Sequence, residues 1–354
     1  MSLRRASRRS IEQYALPWTP PTLTSPRLVT ITDDPASRNI VLDPGQDCLI
    51  TAPDPITFRM DQDKSDAIIQ IVGGGDVVWI GGHITGAGGP ITTIAASVGA
   101  SDTTITVADT TGFPNQGYIR VDGEGIGYTG KTGTTFTGLT RNELFYNTSA
   151  VSSNTTHAIG ATVYLGEYSR TAISRVYGTG VTHLEGILID GFINDGIRAN
   201  GNSPLLTIQN CRVGPNTNHD HDYQSDGHPD VIQLWGGGVQ ELRIARTTLM
   251  AGRSGRAILN AAYGGANPAV GKIVLQDAEF IASVATSALI ENADASTVWE
   301  VANAWLRTLG TDKPLVCPDA VLADKLGLSK AVSAVPDFCP PWVPGTAYVS
   351  PGYL

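Results

Sequence analysis

Cysteine is scarce in this chain of 354 residues: Cys48, Cys211, Cys317 and Cys339 are the full set. Four thiols so scattered exclude a disulfide scaffold and a zinc site built on cysteine pairs. Cys211 falls in a strand-like stretch and reads as a small buried apolar residue, while Cys317 and Cys339 could pair near the C-terminus. Long apolar runs are missing too. No stretch approaches the roughly 20 residues that a bilayer-crossing helix needs. The basic N-terminus leads into no apolar core, so neither membrane insertion nor a secretory signal is expected. Charge is thin, at 16% of residues, with a net balance of -9. General nucleic-acid binding needs the opposite sign. The one basic run, Arg4, Arg5, Arg8 and Arg9, reads either as a contact for an acidic partner or nucleic acid, or as a solvated arm. Aromatics at 7%, with almost no helical periodicity, speak against a helical bundle.

Glycine is plentiful instead, at 40 residues, and it marks the corners of a ladder. From about Asp66 to about Val321 a strand-turn-strand unit returns roughly every 26 to 35 residues. Its cores read Asp195-Gly196-Ile197-Arg198, Asp230-Val231-Ile232-Gln233, Arg256-Ala257-Ile258-Leu259, Ser287-Ala288-Leu289-Ile290 and Pro314-Leu315-Val316-Cys317. A second apolar strand precedes each: Gly186-Ile187-Leu188-Ile189, Leu205-Leu206-Thr207-Ile208, Leu242-Arg243-Ile244, Ile273-Val274-Leu275 and Val298-Trp299-Glu300-Val301. One unit has too little apolar surface to fold alone, and a stack of them shares a continuous core. The expected fold is therefore all-β, a right-handed parallel β-helix.

Five segments are expected. Residues 1–26, basic and then proline-rich, form an arm; 27–90 start the solenoid; 91–165 are an insert; 166–331 are the main solenoid; 332–354 are a proline- and aromatic-rich tail suited to contact. The insert is inferred from an internal match. Ala67-Ile68-Ile69-Gln70-Ile71-Val72-Gly73-Gly74-Gly75 resembles Ala172-Ile173-Ser174-Arg175-Val176-Tyr177-Gly178-Thr179-Gly180, 105 residues on. Removing one unit of about 30 residues leaves roughly 75 unaccounted for.

That stretch carries Gly112-Phe113-Pro114, Asp122-Gly123-Glu124, Thr132-Gly133-Thr134-Thr135, Thr140-Arg141 and His157-Ala158-Ile159-Gly160. The set resembles a small β module of tailed-phage and prophage tail or spike proteins. It departs at Asn142, where the pattern has glycine after the arginine. The resemblance implies a virion part and no particular chemistry.

The densest polar cluster spans residues 216–233 and holds three of the six histidines, His219, His221 and His228. Its end, Asp226-Gly227-His228-Pro229-Asp230-Val231-Ile232-Gln233, resembles a rung of pectate-lyase-like β-helix proteins, a family of polysaccharide lyases, hydrolases and phage spikes. The resemblance implies a groove along the flank that binds sugar. Aligning Ile197, Ile232 and Ile258 sets Asp195, Asp230 and Arg256 in one column and Arg198 beside Gln233, with Arg253 one rung beyond Gly227.

Candidate catalytic residues are Asp195, His228, Asp230, Arg253 and Arg256, as an acid-base pair for glycoside hydrolysis or a base beside a uronic acid. Candidate carbohydrate contacts are Arg198, His219, His221, Asp222, Asp226, Gln233 and Tyr263. Asp220, Asp222 and Asp226 offer oxygen ligands for calcium, without EF-hand spacing, and His219 and His221 suit a transition metal. A solvated loop, or polar residues spent on turn backbone, explains the same pattern. Trp235 reads as core, and Asn200 and Asn260 as an asparagine ladder. No metal or other cofactor is required.

The expected protein is a spike or fibre of a phage or gene transfer agent that adheres to bacterial surface polysaccharide. It would be homotrimeric by resemblance, held to other virion proteins by its arm, assembled in the bacterial cytoplasm and released with the particle. The alternatives are a capsule or exopolysaccharide depolymerase and a structural adaptor.

Overall fold

A computed structural model describes residues 16–58, 67–86, 90–122, 124–142, 155–166, 171–190, 195–201, 203–214, 230–235, 239–251, 256–261, 270–282, 290–292 and 297–308. Apart from one 3-10 turn at Pro35–Ser37, every regular element among them is a strand.

Two large sheets form the body, and all pairings in both are parallel. In the seven-stranded sheet Asn39–Leu42, Ala67–Gly73, Thr171–Val176, Ile197–Asn200, Ile232–Trp235, Ile258–Ala261 and Ile290–Asn292 lie in that order. In the eleven-stranded sheet Arg27–Thr30, Cys48–Thr51, Val77–Gly86, Thr182–Asp190, Ser203–Gln209, Val239–Ala245 and Lys272–Ala282 follow one another, and Val298–Thr308 pairs with the last. The chain visits the sheets alternately, and each visit lands beside the one before. Parallel strands cannot be joined by tight hairpins, so this threading gives every strand a partner from the next coil.

Register follows from the apolar pattern. Ile69, Ile173, Ile197, Ile232, Ile258 and Ile290 stand in one column across the seven-stranded sheet. All are buried, and each contributes about 2 kcal/mol by leaving water. Leu206, Leu242, Ile273 and Trp299 form the matching column opposite. Both columns belong to one continuous core.

Three alignments read from the sequence shift. Ile258 pairs with Ile290, where the quoted tetrapeptides would have set it beside Leu289. The strand beside Leu206 is Thr182–Glu185, the first half of Thr182–Asp190, rather than Gly186-Ile187-Leu188-Ile189, which pairs with Arg212–Val213. The 105-residue offset holds from Thr182, which faces Val77. It is 104 in the preceding strand, where Ile173 faces Ile69. The spare residue is absorbed at the corner, where Tyr177 takes a left-handed φ of 55°. A constant offset of 105 would have turned every side chain of that strand to the wrong face.

Residues 91–166 are organised differently. Their strands pair antiparallel, in a four-stranded sheet (Glu124–Tyr128, Gly117–Val121, Thr162–Gly166, Ile91–Thr93) and a three-stranded one (Gly130–Lys131, Thr135–Thr137, Thr104–Thr106). They bury a separate cluster around Ile119, Ile126, Phe136 and Val163. Phe113 of the Gly-Phe-Pro turn meets Phe136 edge-on at 5.1 Å, and Tyr128 donates to the Pro114 carbonyl at 3.0 Å.

The coils on either side of this segment are joined directly. Arg175 points into the core in the same column as Ile71 and Ala199. Its guanidinium donates to the carbonyls of Gly73 and Gly75 and to Thr182 Oγ1. Burial lowers its pKa to about 10. At Gly180 the next corner approaches so closely that an added Cβ would collide with the Gly75 backbone. Gly180→Ala should therefore destabilise the protein by about 2 kcal/mol, read as a lower urea midpoint at unchanged slope.

Candidate functional site

The expected column of Asp195, Asp230 and Arg256 exists, but it is not an open acid-base pair. Both carboxyl groups are fully buried. Asp195 accepts from the backbone N–H of Asp230 at 3.2 Å and from Thr171 Oγ1 at 3.2 Å. Asp230 accepts from the backbone N–H of Arg256 at 3.0 Å, with the Arg256 guanidinium 3.6 Å away. Each aspartate thus caps the corner of the following coil. The same device recurs at another corner, where Asp47 accepts from Asp76 N–H at 3.0 Å and Asp76 from Val181 N–H at 2.8 Å.

Burial, and then the charge of Asp230, push the Asp195 carboxyl up to about 7, against the opposing pull of Arg198. A carboxyl with a raised folded pKa favours the fold while it is protonated.

Arg198 and Gln233 stand side by side as expected, in an outward row with Gln70 and Ser174. Ser174 and Gln233 are buried and Arg198 is half-buried. Ser174 Oγ and Arg198 Nε have no hydrogen-bond partner among the described residues. The other expected site residues, His219, Asp220, His221, Asp222, Asp226, His228, Arg253 and Tyr263, lie outside the described residues, as do Cys317 and Cys339. Among the described residues no group of three or more His, Cys, Asp or Glu is placed to hold a metal.

Asn260 accepts from Val270 N–H at 3.0 Å and donates to Thr297. It shares its column with Leu234, whereas Asn200 pairs with Trp235, so the two asparagines form no ladder with each other. Cys211 is buried, and burial pushes its thiol up to about 12.

Within residues 91–166 the motifs Asp122-Gly123-Glu124, Thr140-Arg141 and His157-Ala158-Ile159-Gly160 converge on one buried carboxylate, that of Glu124. Arg141 grips Glu124 through two bonds of 2.8 Å. Thr155 donates to Glu124 through both N–H and Oγ1, and His157 lies 2.9 Å from Glu124 on one ring nitrogen and 2.9 Å from Asp122 on the other. Asn142 N–H also donates to Glu124, at 3.1 Å, from a left-handed φ of 53°. That conformation explains why glycine suits this position and why asparagine, which tolerates it, can replace it. Burial alone would raise the pKa of Glu124, but its donors, Arg141 first, hold it at about 2. The sequence displayed these motifs; that they converge on one carboxylate is visible only in the fold.

Two further clusters went unread in the sequence because their members are far apart along the chain. His83 meets Asp190 at 3.1 Å on the outward face of the long sheet. His183, Glu185 and Gln209 form a second group, with Glu185 accepting from His183 and Gln209 at 2.9 and 2.8 Å.

No protein-family model and no curated protein matches the chain. Among solved structures, the Gp54 tailspike of Acinetobacter baumannii bacteriophage AP22, in complex with A. baumannii capsular saccharide, is 10% identical, with 76% of this chain and 62% of that chain covered at a TM-score of 0.20. The Pseudomonas phage phi297 tailspike gp61 is 11% identical, with 73% and 63% covered at a TM-score of 0.22. The chain therefore spans less than two thirds of either tailspike, and superpositions this loose fix neither fold nor function.

Two outcomes are expected. Glu124→Gln should cost the antiparallel segment about 3 kcal/mol at neutral pH, seen as faster amide exchange in Gly117–Val121. Because the folded pKa of Glu124 is depressed, the wild-type advantage should be intact above about 4.5 and fade as pH falls toward about 2. For Asp195 the sign is opposite: its contribution is complete below about 4 and is lost as pH rises to about 7. Asp230→Asn removes the neighbouring charge, so unfolding free energy should decline less between pH 4 and 7 than in wild type.

Proposed function

We propose that the chain is the body of a virion spike or fibre, from a phage or a gene transfer agent, that adheres to a bacterial surface polysaccharide along its flank. The fold is read as a right-handed parallel β-helix of the pectate-lyase-like kind, 27–90 and 166–331, interrupted by the module at 91–165 and continued by the tail at 332–354. The arm joins it to other virion proteins, the assembly is a homotrimer, and the protein leaves the host with the particle. Adhesion calls for no cofactor.

One observation carries the adhesive reading: on the outward row of Gln70, Ser174, Arg198 and Gln233, the long polar side chains of Gln70 and Arg198 are partly exposed. Partly exposed amide and guanidinium groups side by side offer hydrogen bonds to a hydroxyl-rich ligand. A depolymerase ranks lower because Asp195 and Asp230 are buried and committed to backbone N–H groups. General acid-base work needs such groups within reach of substrate.

The test is incubation of the purified protein with capsular and exopolysaccharides of candidate hosts, reading both retention and polymer length. Retention with intact polymer, weakened about tenfold or more by Arg198→Ala, is expected. Shortened polymer, abolished by Asp230→Ala in a folded protein, would make the protein a depolymerase. Neither retention nor cleavage across the panel would leave a structural adaptor.

A further inference from the structure

The arm is not wholly free of the body. Trp18 lies on the outward face of the eleven-stranded sheet, 191 residues away in sequence from its main partner. Gln209 reads the Trp18 peptide on both sides: its Nε2 donates to the Trp18 carbonyl at 2.7 Å, and its Oε1 accepts from the Trp18 N–H at 3.4 Å. The Arg243 guanidinium stands 5.9 Å from the centre of the indole ring, within cation-π reach.

Gln209 is fully buried, and Glu185, which also binds His183, accepts from it at 2.8 Å. Arg243 is held in turn by Glu241 at 2.8 Å. The seat is thus made of oriented polar side chains on neighbouring strands, with Thr207 facing both His183 and Arg243 across the sheet.

The segment that fills the seat makes few other bonds. Beyond Trp18 the next anchor among the described residues is Thr24, whose N–H donates to Asp47 at 2.7 Å. Between them Pro20 and Pro21 hold the chain extended. Trp18 sits at the end of the strand Ser203–Gln209 and Thr24 at the start of the strand Cys48–Thr51, about 15 Å away across the sheet and about 10 Å along it, a span of about 18 Å. Six extended residues cover about 20 Å, which is sufficient. The segment therefore crosses the level at which residues 91–166 interrupt the stack, between Val77–Gly86 and Thr182–Asp190. It pairs with no strand in this span, and its residues are half-buried or exposed.

We propose that residues 16–26 form a removable latch, with the Gln209–Arg243 seat acting as a recognition site for this chain's own tryptophan-bearing segment. Closed, the latch ties the coils before residues 91–166 to the coils after them. It also fixes where the chain N-terminal to Trp18 starts: on the flank, at the level of Ser203–Gln209 and Val239–Ala245, and not at the first coil. Segments with few contacts open at low free-energy cost, so the latch can release while the sheet beneath stays folded. This inference does not depend on polysaccharide binding.

The test uses the full-length chain. Hydrogen exchange is measured at the Thr24 amide and across Ser203–Gln209 in wild type, Trp18→Ala and Arg243→Ala. The latch predicts exchange at Thr24 at least tenfold faster in both variants, with the strand amides unchanged. Unchanged exchange at Thr24 would overturn the latch, and faster exchange throughout the strand would make Trp18 an ordinary part of the fold, overturning removability.

The seat is tested with a fluorescent synthetic peptide of residues 14–25. Full-length Trp18→Ala should capture it, while wild type, whose seat is filled, and the double variant W18A/Q209L should not. Equal capture by all three, or no capture by Trp18→Ala, would overturn the seat.

Discussion

Each coil of this molecule completes the backbone hydrogen bonds of its neighbours. In a parallel stack no strand is paired by the segment that immediately follows it, so a coil alone leaves its N–H and C=O groups open to water. Pairing must also hold to the residue, because a slip of one moves the buried column of isoleucines from the core to the solvent. The long interruption by residues 91–166 threatens this register most. The guanidinium of Arg175, the tight approach at Gly180 and the crossing of residues 16–26 all act where the stack resumes.

The same constraint decides how charge is used. Four aspartates are corner pieces, two of them buried (Asp195 and Asp230) and two half-buried (Asp47 and Asp76). Asp47, Asp76, Asp195 and Asp230 each reach across to the backbone N–H of the following coil, at the point where the chain turns and no sheet bond is available. Glu124 does related work within the antiparallel segment, gathering Arg141, Asn142, Thr155 and His157 around one carboxylate. Desolvation of such a buried carboxylate offsets much of its attraction, and the surrounding donors fix where its neighbours stand. The outward face of the long sheet carries polar pairs between neighbouring coils as well, His83 with Asp190 and Glu185 with Gln209.

The repeat was legible in the sequence because apolar residues recur at a fixed spacing and short strands need little else. The alignment of Ile197, Ile232 and Ile258, and with it the neighbourhood of Arg198 and Gln233, could be read directly. The chemistry of Asp195 and Asp230 could not: a carboxylate in an open groove and one bonded to a corner look alike in sequence. The register error at Ile173 has a similar origin. The match with Ala67 onwards is real, but the corner at Tyr177 holds one residue more than its counterpart, and only the fold shows where the surplus sits.

Composition, glycine spacing and apolar periodicity by themselves determined that this chain is all-β, built of repeated short strands, and broken once by a segment of different character. These are local properties, carried by residues within a few positions of one another. Tertiary structure alone decided which polar residues meet: His83 with Asp190, Glu124 with His157, Gln209 with Trp18. Those contacts join residues from 33 to 191 positions apart, and no short-range pattern encodes them. The stacking of one coil on another brings such distant positions to a common face, so the division between structural and available side chains appears only when the coils are in place.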